Sequence, residues 1–340
     1  MELLKKLANM LGPSGSEQHV RDLIQKEIKK YVDEVRIDKF GNLIAHKKGK
    51  GARVMLAAHM DEIGLMCNYI MDDGKIKFTS VGGIDPITLV GQQVDLILRT
   101  GKTVKGVITT FEIHEALDME ETPKEEDLYV DTGLNRKQLE KVGVNVGTYI
   151  VPSHTFSTLG TNNVITGKAF DDRVGCYVLI EVAKRLKKSS KEDVYFVFTV
   201  QEEVGLYGSE TSVYNIDPDW GIAVDNTIAS DSGEPRRIMM GKGPCITIKD
   251  AEMIANRCLN DHITSVAQKN KIPLQYEVVE AGTTDATKIM MSRGGIPSTV
   301  LGVPLRNLHT TITVASTKDI DNLIKLLEKI LKNPPKVCLV

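Results

Sequence analysis

The chain has 340 residues, enough for one large domain or two. Its 43 basic and 45 acidic residues give a formal net charge of -2, which excludes a global electrostatic pull toward nucleic acid or an anionic membrane. Hydrophobic and charged fractions of 41% and 26% are ordinary for a globular protein, and no apolar run reaches the ~18 residues of a membrane span. Met1-Glu2-Leu3-Leu4-Lys5-Lys6 lacks a signal peptide's apolar core. Cys67, Cys176, Cys245, Cys258 and Cys338 are scattered and form no C-x-x-C, so they read as reduced, mostly buried thiols of a cytoplasmic protein.

In chain order, the first punctuated stretch is Gly12-Pro13-Ser14-Gly15-Ser16-Glu17. Ser14 and Glu17 have capping-box spacing, and Val20, Leu23, Ile24 and Ile28 follow at helical intervals. That predicts an amphipathic helix over 17–31. No G-x-S-x-G surrounds Ser14, so it reads as a cap and not as a nucleophile. Residues 35–38 and 42–46 predict a hairpin about Phe40-Gly41, and 54–58 predict a short buried strand ending at His59-Met60-Asp61. From about 66 to 160 short strands, glycines and turn residues dominate, including a turn at Thr100-Gly101-Lys102; this is a small β-rich region. Residues 118–127 are an acidic, exposed loop. His114-Glu115-x-x-Asp118 is a poor zincin match, because its last residue is not histidine.

Helical patterning resumes after Asp171-Asp172-Arg173, with Val174, Val178, Leu179, Val182, Ala183 and Leu186 on one stripe. The two aspartates fall at a helix start, where negative charge is favoured in any case. The apolar run 194–200 predicts a strand buried on both faces, followed by Glu202-Glu203. Residues 221–224 predict a strand ending at Asp225-Asn226. Beyond it, 254–266 predict a helix, 274–279 a strand, 281–286 a helix start, 297–302 a strand leading to His309, and Ile320 to Ile330 a last helix. The pattern is α/β, interrupted by a β insertion.

His59, Glu202-Glu203 and Asp225 thus stand at predicted exits of buried strands, where ligand sites of open α/β sheets gather. The Glu pair alone also fits a pair of surface acids in a strand-to-helix loop. Two buried adjacent carboxylates resist joint ionisation, and a cation resolves this for one while leaving the other free as a base. Because strand alternation aims neighbours oppositely, the pair is expected at or beyond the strand end. Histidines and carboxylates form a mixed N/O ligand set suited to Zn²⁺, Co²⁺ or Mn²⁺ better than Ca²⁺.

The order His59-x-Asp61, Asp171-Asp172-Arg173, Glu202-Glu203, Asp225, His309 resembles the co-catalytic dinuclear metallopeptidases. More narrowly, GPSGSE, FGNLIA, AAHMDEIGLM, TGKAFDDRVGC, QEEVGLYGS, AVDN, GKGP and GTTDA resemble the tetrahedral aminopeptidases, the deblocking and glutamyl aminopeptidases. The resemblance implies a zinc-peptidase-like catalytic domain, a mixed sheet flanked by helices, over 1–65 and 161–340, with an inserted β-rich dimerisation domain over 66–160. It implies two divalent metal ions per subunit, Zn or Co. His59, Asp171 and Asp225 would hold one and Asp171, Glu203 and His309 the other. Glu202 would be the general base, and Asp61 would orient His59. A cis bond between Asp171 and Asp172 is implied as well. Short peptides are the implied substrates, and dimers building a tetrahedral dodecamer the implied assembly. Asn307 departs from the family's usual aromatic residue beside His309, which bears on the pocket's shape. His19, His46, His114, His154 and His262 match no family role and read as solvated or structural.

Three rival readings remain. A related dinuclear amidohydrolase would act on acylated amino acids. A glycoside hydrolase would use the carboxylate pair, but leaves His59 and His309 without a task, and the chain is only 5% aromatic with one Trp. A non-enzymatic scaffold would have lost ligands, and none is lost.

Overall fold

The computed structural model describes residues 1–110, 122–160, 163–186, 190–232 and 237–336. His114, residues 118–121 of the acidic loop and Cys338 lie outside these. Helices α1 (Glu2–Asn9) and α2 (Gln18–Ile28) precede strands β1 (Glu34–Ile37), β2 (Leu43–Lys47) and β3 (Arg53–His59). α2 buries Val20, Ile24 and Ile28, one stripe at four-residue spacing. It is shorter than the expected 17–31, and no side chain caps it. Ser14 Oγ instead donates to Asp61 Oδ2 at 2.6 Å, and Glu17 Oε1 accepts from the Gly15 N–H. A buried carboxylate needs donors more than a helix end open to solvent does.

Strands β4 (Gly64–Ile70), β5 (Ile76–Val81), β6 (Gln93–Ile97), β7 (Thr103–Thr109), β8 (Tyr129–Asp131) and β9 (Tyr149–Pro152) follow. They close into an antiparallel barrel in the order β4-β5-β8-β7-β6-β9. Closure removes the free edges that short strands would otherwise expose. The barrel has its own core, with Leu65, Phe78, Leu96, Ile108 and Val130 at its centre. Helix α3 (Arg136–Val142) lies between β8 and β9, capped by the Asn135 side chain.

The chain then returns through β10 (Ser157–Thr158), β11 (Val164–Gly167), α4 (Phe170–Arg185), β12 (Asp193–Thr199), α5 (Tyr207–Ile216), β13 (Trp220–Ile228) and β14 (Cys245–Lys249). The remainder is α6 (Arg257–Lys269), β15 (Gln275–Val278), α7 (Asp285–Met291), β16 (Ser298–Arg306), β17 (Thr313–Ser316) and α8 (Thr317–Lys332). Among the described residues, eleven strands form one mixed sheet in the order β1-β2-β12-β3-β13-β16-β17-β11-β10, with β14 and β15 branching from β16. Its four central strands, β12, β3, β13 and β16, run parallel. Their carboxyl ends therefore share one edge, and α4 and α8 cover one face of the core.

Several local expectations are corrected. β13 and β16 stay in parallel register from Gly221–Ser298 to Ile228–Leu305. Asp225 therefore lies within a strand and not at its exit, and the strand expected over 297–302 runs on to Arg306. α6 begins at Arg257 and not at 254, because the Asn256 side chain accepts the Leu259 N–H and closes its first turn. Cys67, Cys176 and Cys245 are free and buried, whereas Cys258 is disulfide-bonded, against the expectation of five reduced thiols.

Candidate metal centre

Most side chains of the centre are placed by a turn, a helix start or a strand end, and Asp225 by the interior of β13. His59 is the last residue of β3. Glu202 and Glu203 lie beyond β12, after Gln201 turns the chain with φ 55°. Their N–H groups donate to the two oxygens of Asp61, at 3.1 and 3.2 Å. Asp61 is fully buried and anchors the turn that aims both glutamates. Asp171 and Asp172 open α4 with non-helical backbone angles, and the peptide between them is cis, as expected.

His59 Nε2 lies 3.2 Å from Asp171 Oδ1, and His309 Nε2 lies 3.5 Å from Asp171 Oδ2. The two imidazoles thus face one carboxylate from its two sides. His309 Nδ1 stands 2.9 Å from the Gly83 carbonyl. A carbonyl only accepts, so Nδ1 carries the proton and Nε2 keeps its lone pair toward the centre. Gly83 follows β5, so the barrel reaches the site here. A Cβ on Gly83 would fall 3.1 Å from that ring nitrogen. Glu202 Oε2 is 4.0 Å from His59 Nε2, and Glu203 Oε2 is 3.9 Å from His309 Nδ1.

Two triads bring ligand atoms within 4.8 Å of one another: His59, Asp171 and Glu203, and His59, Asp172 and Asp225. The first has His59 where His309 was expected, and the second has Asp172 where Asp171 was expected. Asp172 already accepts from the Gly175 N–H and Asn226 Nδ2, both at 2.9 Å, and from the His59 N–H at 3.2 Å. Its oxygens are occupied in holding backbone, while Asp171 faces both imidazoles.

Burial pushes Glu202, Glu203 and Asp172 well above the usual carboxylate range, and neighbouring carboxylates push further. Burial, with Asp171 beside it, brings Asp225 up to about 7. For Asp171 burial acts upward too, but the hydrogen bond and charge of His59 outweigh it and hold the group low. Burial lowers His59, yet Glu202, Asp171 and Asp61 together raise it well above an ordinary imidazole. Glu203 Oε1 is buried with no hydrogen-bond partner. Converging carboxylates, imidazole nitrogens and an orphaned oxygen are the donor set that a divalent cation requires.

Three contributors escaped the sequence reading. Ser14 was read as a helix cap. Asn226 Nδ2 tethers Asp171 and Asp172. Asp285, 2% exposed, accepts from Thr199 Oγ1 at 2.6 Å and adds negative charge beside Glu202. The phrases AVDN and GTTDA held the last two, but no spacing marked them. His46 pairs with Asp193 and stacks on Tyr195, and His262 bonds the Asn333 carbonyl, so both are structural as expected. A cavity of 990 Å³ opens beside the centre and runs from His59 and Glu202 to Tyr276 and Val279.

A parallel-centred sheet carrying this cluster near its carboxyl edge, joined to a closed barrel, fits a metal-dependent hydrolase. The family model of the M42 glutamyl aminopeptidases matches residues 41–326. The chain belongs to that family and is a metallo-aminopeptidase, a hydrolase of peptide bonds. It is 37% identical to the lysyl aminopeptidase of Pyrococcus furiosus, over 97% of this chain and 96% of that one. The TET aminopeptidase of a marine-sediment Thaumarchaeota archaeon superposes with a TM-score of 0.94 at 35% identity, covering 98% and 97% of the two chains. The TET1 peptidase of Pyrococcus horikoshii, which can assemble into a tetrahedron or a large octahedral shell, gives 0.88 at 34%, covering 97% and 98%. A Thermotoga maritima protein described as an endoglucanase gives 0.78 at 33%, covering 96% of each chain.

Proposed function

We propose that the chain removes N-terminal residues from short peptides, with two divalent cations, Zn or Co, held at this centre. His59, Asp171 and Asp225 would hold one, and Asp171, Glu203 and His309 the other. The observation that carries this is the approach of both imidazoles to the two oxygens of Asp171, among buried acids that have no cation of their own. Bound there, the ions would lower the pKa of a water and polarise the scissile carbonyl. Glu202 is the general base: its raised pKa suits taking a proton from the attacking water and passing it to the leaving amine. Asp61 orients His59 from the Nδ1 side, 3.5 Å away, and holds the Glu202-Glu203 turn. The protein works in the cytoplasm as a homo-oligomer. Dodecameric homologues support that assembly, and the barrel is the expected dimerisation domain.

The test is an assay of metal-reconstituted protein on aminoacyl chromogenic amides, their N-acetylated forms and a β-glucan. Release from free-amine substrates alone is expected, abolished by chelator and reduced about 10²- to 10⁴-fold in kcat by Glu202→Gln. Full activity in that variant would remove Glu202 as the base. Preference for N-acetylated substrates would make this an amidohydrolase, and glucan cleavage without peptidase activity would overturn the reading.

A further inference from the structure

We infer that the cavity beside the centre selects peptides with a cationic N-terminal side chain, lysine or arginine, through Asp250 and Glu277. This rests on the aminopeptidase reading above and adds the substrate class.

Both residues line the cavity and are buried, at 5% and 8% exposure. Asp250 follows β14. Its Oδ1 accepts the N–H groups of Glu252 and Met253 at 2.9 and 2.7 Å, whereas its Oδ2 is buried without any partner. A buried carboxylate oxygen lacking a donor is a standing deficit, and the charge of a ligand ammonium or guanidinium in the adjoining cavity would offset it. Glu277, in the middle of β15, accepts the hydroxyls of Thr227 and Thr247. Hydroxyls satisfy lone pairs but leave the charge in place. Ile238, Val278, Val279 and Val300 also line the cavity and suit the methylene stem of a long basic side chain.

Among the described residues, two cations near the cavity argue the other way, and each is weaker. Arg237 lines it but is exposed. Water screens an exposed guanidinium, while buried carboxylates act through a lower dielectric. The Lys249 ammonium is held by the backbone carbonyls of Asp250 and Val279, not by either carboxylate. The acids of the metal centre are matched by the proposed cations, so Asp250 and Glu277 set the sign of the cavity's far wall.

The test compares kcat/KM for lysyl, arginyl, leucyl and glutamyl chromogenic amides in the wild type, Asp250→Asn and Glu277→Gln. Asparagine keeps the Oδ1 acceptor that closes the 250–253 turn, and Glu277→Gln is a second, independent variant. The wild type should favour lysyl and arginyl over leucyl and disfavour glutamyl. Either variant should lower the lysyl-to-leucyl ratio by roughly 10-fold or more, chiefly through KM. A glutamyl preference, or a ratio unchanged in both variants, would overturn the inference. Calorimetric titration with L-lysine against L-norleucine reads the same selectivity without turnover, since norleucine shares the stem and lacks the amine. Lysine should bind tighter, and the margin should shrink in both variants. Absence of peptidase activity with that margin intact would break the aminopeptidase reading and leave the cationic pocket standing. Peptidase activity without it would break the pocket alone.

Discussion

Two buried aspartates, one in the barrel and one in the central sheet, are treated in opposite ways. Asp95 on β6 accepts from Lys105 Nζ at 2.8 Å and from Ser153 Oγ at 2.6 Å. Burial acts to raise it, but these partners win and hold it below the usual carboxylate range. Asp225 on β13 has no such partner and is pushed up to about 7 by burial and by Asp171. The contrast is local, since Glu62, just beyond β3 of the central sheet, is paired with Lys168 and Arg173. Lysine and arginine thus pair buried acids in both regions, but not in the cluster around Asp171 and Asp225. There the missing positive charge must come from outside the chain.

The largest expected effect at the uncompensated end is on stability. A carboxyl whose folded pKa exceeds its unfolded value binds more protons when folded, so its contribution is full below the unfolded pKa and is lost as pH rises through the folded one. For Asp225 that window runs from 3.8 to about 7. In metal-free protein, Asp225→Asn should therefore become progressively more stable than the wild type across this range. The gain should approach roughly 4 kcal/mol at most, at about 1.4 kcal/mol per pKa unit. Urea unfolding of both proteins at several pH values measures it, and a pH-independent difference would break the comparison.

The smallest effect belongs to the compensated end. Lys105 is 69% exposed, and solvent-screened pairs contribute at most about 1 kcal/mol. Lys105→Met should lower stability by no more than about that, because Ser153 still serves Asp95, and should leave metal affinity unchanged. A loss of metal binding in this variant would show that the two regions are not independent.

Much of this layout was legible in the chain, and the failures have physical causes. The runs at 54–58 and 194–200 marked buried parallel strands, and His59 and Glu202-Glu203 followed directly from where those runs stop. Barrel closure was not legible, because it depends on pairings such as Leu65 with Ile150 that no local pattern encodes. Ser14 had the spacing of a cap, but its partner, Asp61, lies 47 residues away. Asp225 looked terminal because its polar side chain ended an apolar run, yet hydrogen bonding to β16 carries the strand past it. Asp250 and Glu277 carried no local mark at all, and only the fold brings them to one cavity.

The central claim is that external cations complete the strand-end cluster. It is tested most directly by counting divalent ions bound at saturation to metal-stripped protein, beside Asp171→Asn, with activity followed through chelation and restoration. The account predicts two ions per chain, activity lost and regained with them, and binding impaired at both positions by the variant. Full activity in verified metal-free protein, or no bound divalent ion at saturation, would contradict it.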